Sequence, residues 1–241
     1  MIGYQDGDIT TVTLINPERH NALSHDDFDA LSNILDHIES ELPRVVIITG
    51  VGNSFCAGVE FASLQIGDWA NDNPLNKLCN RVAALPMPVI AALNGHFIGG
   101  GAELAFCADF RIAIPNAKCK IPAAAIAVHY EPSGIQRVID VVGKQMAKRL
   151  FLGLETFTGD ELLATDCADA LSDDPLQTAL DRAENIAQLS PMALSGIKKT
   201  IANSADDEAA RKRIIDSFAS IDFKEAMSAV SEKRTPNFSG K

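Results

Sequence analysis

Residues 94–110 read NGHFIGGGAELAFCADF, with three consecutive glycines and a lone glutamate, Glu103, inside an otherwise apolar, helix-like run. The segment before it, Val89 to Leu93 (VIAAL), is too continuously apolar to have a solvated face and predicts a buried strand. The segment after it, Phe110 to Ile114 (FRIAI), predicts another, and Gly100 to Ala108 predicts a helix between them. Two buried strands joined by a helical crossover argue for a layered α/β fold with largely parallel strands.

The unit recurs upstream. DITTVTLI (8 to 15) predicts a strand, and Ser24 to Leu42 predicts an amphipathic helix with Ser24 as N-cap and Phe28, Leu31, Ile34, Leu35 and Ile38 on one face. RVVIIT (44 to 49) is a second strand, and Leu75 to Leu85 is helical in pattern, ending at PMP. From Pro132 onward helices dominate, over 132–142, 144–151, 159–165, 175–189, 191–203 and 206 to about 230, with a short strand near Ala168 to Leu171. The C-terminal third reads as a helical appendage, with a boundary close to Leu189-Ser190-Pro191.

At 241 residues the chain has room for a sizeable core, and one main domain plus an extension is expected. A composition of 46% hydrophobic and 22% charged residues, without repeats or low-complexity tracts, places it among ordinary globular proteins. The formal charge of −11 opposes non-specific binding to nucleic acid or an anionic membrane. Five cysteines, odd in number and never spaced as CxxC, argue against a disulfide framework or a zinc site. Reduced, mostly packed thiols suit a cytoplasmic location. With neither a signal-like start nor an apolar run of about 18 residues, the chain reads as soluble and untargeted.

Two glycine-containing turns follow buried strands, where open α/β sheets commonly bind ligands. They are GVGNSFCAGVEF (50 to 61) and the 94–110 stretch. Neither completes a nucleotide loop: Phe55 stands at the third glycine of GxGxxG, and Gly101-Ala102 stands where a P-loop needs Lys-Ser/Thr. Glycines also allow backbone N–H groups to approach a ligand closely, and a helix beginning at Gly100 presents unpaired donors backed by its dipole. Two such donors converging on one oxygen form an oxyanion hole.

At this point the sequence resembles the crotonase superfamily, whose best-known members are the enoyl-CoA hydratases and isomerases. The resemblance covers nearly the whole chain through INPERHNALS (15 to 24), SFCAGVEF (54 to 61), NGHFIGGGAELAFCADFRIA (94 to 113), SGIQRVIDVVG (133 to 143) and SPMALSGIKKTI (190 to 201), in order. It implies the ClpP/crotonase fold, a core of repeated ββα units over residues 1–185 carrying the acyl-CoA site, then a helical region over 186–241 that packs against neighbouring subunits in a homotrimer or hexamer. It implies no prosthetic group; coenzyme A arrives as the carrier of the substrate thioester. By position, the N–H groups of Val59 and Gly100 would hold the thioester oxygen. Arg19, His20, Ala22 and Ala57, with Val59 and Gly100, would line the coenzyme A arm. Lys198 and Lys199, or a lysine from a neighbouring subunit, would reach phosphate; otherwise Lys198 and Lys199 form a solvated helix face.

Glu103 falls three residues after Gly100, on the same helix face, and becomes the candidate general acid/base. A lone glutamate there would otherwise read as a partner for the helix dipole. Its apolar neighbours should raise its pKa, the direction needed for proton transfer near neutral pH. Hydratases of the family use a second glutamate, which follows a proline; with Pro122 and Gln136-Arg137 aligned, Ala123 occupies that position.

Three functional readings remain open. In the first, a divergent hydratase or isomerase uses Glu103 alone or with His129, Tyr130 or Glu131. In the second, VHYEPSGI (128 to 135) resembles the matching segment of methylmalonyl-CoA decarboxylase, with Tyr130 in place and Val59 where that enzyme has histidine. In the third, the chain binds acyl-CoA without turnover, and Tyr130, His129 and Glu131 are a packed aromatic, a loop residue and a helix-start acid. Trp69, in GDWANDNP, either caps the acyl pocket or packs on its own domain. Cys56 reads as packing, with no matched histidine to activate it.

Overall fold

The structure, a computed structural model, describes residues 1–64, 69–203 and 208–240. In chain order its elements are β1 (Ile2–Gln5), β2 (Ile9–Leu14), α1 (His25–Glu41), β3 (Val45–Gly50), β4 (Ser54–Cys56), α2 (Phe61–Leu64) and α3 (Pro74–Ala84). Next come β5 (Val89–Leu93), β6 (His96–Ile98), α4 (Gly100–Phe106), β7 (Phe110–Ala113), β8 (Lys118–Lys120) and α5 (Pro132–Phe151). The chain continues through β9 (Phe157–Thr158), α6 (Asp160–Ala164), β10 (Ala170–Leu171), α7 (Pro175–Ala187), α8 (Pro191–Ala202), α9 (Glu208–Ala219) and α10 (Ile221–Glu232).

Each ββα unit divides its strands between two sheets. The first strands form a six-stranded sheet, β1-β2-β3-β5-β7-β10, parallel from β2 onward; the second strands form a four-stranded sheet, β4-β6-β8-β9. The larger sheet is covered on both faces, which is why its central strands β3 (VVIITG) and β5 (VIAAL) are almost continuously apolar. Val46 and Ile48 of β3 face the main core with α1 and α3, whereas Val45 and Ile47 meet Ile90, Ala92 and Ile112 under Ala179 and Ala183 of α7.

Local signals account for most helix ends. Ser24 and Asp27 form a reciprocal capping box at α1. Gly143, at φ 76°, breaks α5 where two helices were expected. The expected single helix from 206 is instead α9 and α10: residues 206 and 207 lie outside the described residues, and Ser220 starts a new helix by accepting from the Phe223 N–H at 3.0 Å. The helix expected to reach Ala108 ends at Phe106. All five cysteines are buried thiols. No helix among the described residues is long and apolar enough to cross a membrane.

Candidate active site

The site is built where β3 and β5 end. Asn94 accepts from the Gly50 N–H at 3.0 Å and donates to the Gly52 carbonyl at 2.9 Å, fastening the two strand ends. Asn21 reaches across from the first loop, donating to Val51 O at 2.9 Å and Ser54 O at 2.7 Å. That loop is stitched to the 54–61 segment by Ala57 N–H to His20 O (3.0 Å), Leu23 N–H to Gly58 O (2.7 Å) and Glu60 N–H to Leu23 O (2.9 Å).

This pairing fixes Val59. In the parallel bridge between Leu23 and Val59, the bonds use Gly58 and Glu60, so the Val59 N–H points away from the first loop. The Val59 and Gly100 N–H groups have no protein acceptor among the described residues. Gly58 brings the two segments together at φ 97°: a Cβ there would sit 2.9 Å from Gly100 N, so both backbone angle and space require glycine. Gly101 serves the same closeness, since its Cβ would lie 2.0 Å from the Cys56 carbonyl oxygen.

Val59, Gly100 and Glu103 line one cavity of about 150 Å³ with Ala57, Leu75, Ala123, Tyr130 and Glu131. Glu103 is 3% exposed. Its Oε1 accepts from Arg137 Nη1 at 2.9 Å, and Arg137 Nη2 donates to Asn80 Oδ1 at 2.6 Å. Thus α3, α4 and α5 converge on one carboxylate. Burial pushes the Glu103 carboxyl above its ordinary range, Arg137 pulls it back down, and Glu131 adds to the rise.

Tyr130 stacks edge-on against Phe151 at 5.3 Å, and its hydroxyl has no hydrogen-bond partner among the described residues. Burial, then the charge of Glu103, raises its pKa, so it stays a neutral phenol. Glu131 is the N-cap of α5 but makes no side-chain capping bond. His129 lines the same cavity, its Nδ1 2.7 Å from the Tyr130 carbonyl oxygen.

Arg19, His20 and Ala22 lie outside this lining, on the adjoining loop: Arg19 pairs with Glu60 at 3.1 Å, and His20 Nδ1 is 3.2 Å from Ser54 Oγ. Trp69 packs on its own domain, its Nε1 donating to Ser63 O at 2.9 Å and its ring lying near Phe28, while it also lines the cavity. Its loop neighbours Gly67 and Asp68 lie outside the described residues. Lys198 fits neither expectation: its Nζ binds Asp109 at 2.7 Å and the Met87 carbonyl at 2.9 Å. The Cys56 thiol is pushed up to about 12 by burial, which suits packing.

Arg137, Asn80 and Gly134 are the site residues that sequence reasoning missed. Arg137 borders the buried stripe Gly134-Val138-Val142 of α5, and a cation there calls for a buried anion. Gly134 leaves the room, since a Cβ would meet Glu103 Oε1 at 2.6 Å.

Residues 5–241 match the sequence model of the enoyl-CoA hydratase/isomerase family. The chain belongs to that family. It is 33% identical over 248 residues to the probable enoyl-CoA hydratase echA6 of Mycobacterium tuberculosis, with all of both chains covered. It is 31% identical to the 2,3-dehydroadipyl-CoA hydratase of Escherichia coli, covering 97% of this chain and 96% of the relative. Among solved structures, a Bacillus anthracis enoyl-CoA hydratase superposes with a TM-score of 0.89 at 28% identity, covering 100% of this chain and 99% of the other. A family protein from Hyphomonas neptunium reaches 0.93 at 25% identity, covering 100% and 98%. These neighbours place the family's crotonase-type fold, with its helical C-terminal region, over the whole chain.

Proposed function

We propose that this family member acts on an acyl-CoA thioester through an enolate held by the Val59 and Gly100 N–H groups, with Glu103 as general acid/base. The observation that carries the reading is the meeting of two acceptor-free N–H groups and one buried carboxylate at a single cavity. Negative charge developing on the thioester oxygen would be met by fixed donors, one such donor contributing on the order of 3 kcal/mol to the transition state. Coenzyme A would run along Arg19, His20, Ala22 and Ala57.

Ala123 lines the cavity with a methyl where the family's second glutamate is expected. Hydration needs one group to take a proton from water and another to protonate carbon, whereas isomerisation needs one base to carry a proton between two carbons. The single buried carboxylate therefore supports isomerase-type proton transfer over orthodox hydration. The Tyr130 hydroxyl, without a partner among the described residues, supports a second reading, decarboxylation of a malonyl-type thioester, in which the enolate forms without a strong base. We assign the exposed apolar side chains of α9 and α10, among them Ile215 (65% exposed) and Phe218 (64%), to contacts between copies in a trimer or hexamer.

Glu103→Gln tests the central assignment. Turnover of enoyl-CoA isomers should fall about 10²- to 10⁴-fold while CoA-ester affinity is kept. Unchanged turnover would remove Glu103 from the mechanism, and turnover of malonyl-type esters alone would favour the second reading.

A further inference from the structure

The cavity beside Glu103 holds about 150 Å³, below the roughly 300–1,000 Å³ usual for small-molecule sites. It is not isolated. A second cavity of about 290 Å³ lies against α5, and Ala123, Val128, His129 and Tyr130 line both. The far side of the second cavity is mainly apolar, formed by Ile135, Ile139, Ala147, Phe151 and Leu152 together with Lys144 and Lys148, and Leu152 is left 77% exposed.

The shared wall is made of two small or apolar side chains, Ala123 and Val128, beside His129 and Tyr130. Ala123 contributes only a methyl group, and Tyr130 presents different ends to the two sides. Its hydroxyl lies 3.9 Å from where a Gly99 Cβ would stand, next to the Gly100 donor, while its ring packs edge-on with Phe151 of the second cavity. The polar tip thus faces the reacting end, and the ring faces the apolar end.

We propose that the second cavity receives the distal part of the substrate's acyl chain, and that the substrates are medium- to long-chain acyl thioesters. This rests on the placement of the thioester at Val59 and Gly100: the coenzyme A arm occupies the first-loop side, which leaves the Tyr130 side for the chain. Ala123, in place of a carboxylate, then gives up an acid/base group and leaves an apolar passage.

Binding of saturated acyl-CoA esters to the full chain, from butanoyl to dodecanoyl, tests this by calorimetry without requiring turnover. Affinity should rise about fourfold per methylene once the chain extends past Tyr130. Ile139→Gln should cost the dodecanoyl ester tenfold or more and leave butanoyl-CoA within twofold, which also reports that the variant is folded. Equal affinity across the series overturns the chain subsite but leaves the thioester reading standing. Failure of every ester to bind removes both. Equal affinities together with a lower particle mass for Ile139→Gln give the groove to a neighbouring copy of the chain, which also overturns the subsite.

Discussion

Replacing Arg137 by methionine keeps the aliphatic stem and deletes the charge that Glu103 meets at 2.9 Å. The pair is well buried, with side-chain exposures of 11% for Arg137 and 4% for Glu103, so solvent screening is weak. Two unit charges about 4 Å apart at an effective dielectric near 20 attract by about 4 kcal/mol. Removing one partner of a buried pair commonly costs about 3–5 kcal/mol, because the other charge is left uncompensated. For a chain of this size, about 3 kcal/mol lowers Tm by about 6–12 °C.

The pH dependence separates this electrostatic loss from a packing loss. Glu103 already has a folded-state pKa above its ordinary value of 4.5, from burial first, so its contribution to folding is complete below that value and is lost as pH rises through the folded-state value. Without Arg137 the folded-state pKa moves further up, and the variant loses more as pH rises. Scanning calorimetry at pH 5.5 and pH 8 should therefore find the larger deficit at pH 8. The acidic limb of turnover, where Glu103 must ionise to act as a base, should move to higher pH as well. The groups facing this carboxylate are Arg137 from α5, Glu131 at its N-cap, and the Tyr130 phenol and the Cys79 thiol of α3, both of which burial keeps neutral. A Tm deficit equal at the two pH values, or a limb that stays in place, would refute the assignment of Arg137 as the residue that keeps Glu103 ionised.

Gly58→Ala should destabilise the fold by about 1–3 kcal/mol from its φ of 97° alone, and, with a Cβ 2.9 Å from Gly100 N, lower turnover by about 10²-fold or more; denaturant melts and steady-state rates check both. Ile215→Asp with Phe218→Asp places two charges on the exposed apolar face and should reduce the particle to a monomer by light scattering, with an unchanged mass counting against that face as an interface. Ala123→Glu supplies a second carboxylate in the cavity and should raise crotonyl-CoA hydration about 10²-fold or more, followed by loss of absorbance of the conjugated thioester. No gain in hydration would show that the missing glutamate is not what limits that reaction.

The fold and the carboxylate were legible in the sequence because both leave local traces. Buried strands such as Val89–Leu93 are continuous apolar runs, and Glu103 stands one helical turn from Gly100 inside an ordered block of motifs. The second sheet was not legible, since Ser54–Cys56, His96–Ile98 and Lys118–Lys120 span three residues each, too few to establish a period. The break at Ser220 was hidden by apolar residues continuing on both sides, although its side chain caps the Phe223 N–H. The Arg137 pairing depends on α4 and α5 crossing at Gly134, a contact between residues 34 apart that no local pattern encodes.

That crossing bears on which chemistry the cavity supports. A carboxylate raised by burial alone drifts toward its protonated form and becomes an acid, whereas one held by an arginine stays available as a base. Glu103 sits between these limits: burial raises it, the guanidinium restrains the rise, and Asn80 accepts from the same guanidinium, holding it in place. On the proposed reading, a base of this kind suits removal of a proton next to a thioester, where the Val59 and Gly100 donors would take up the charge, and return of that proton to a second carbon. It serves hydration less well, because water addition requires an acid and a base at the same moment. Among the described residues the other carboxylate lining this cavity, Glu131, raises Glu103 by its charge and stands at the N-cap of α5, so it opposes the ionised state that Arg137 supports. These charges are the reason we propose proton transfer between carbons rather than water addition for this cavity.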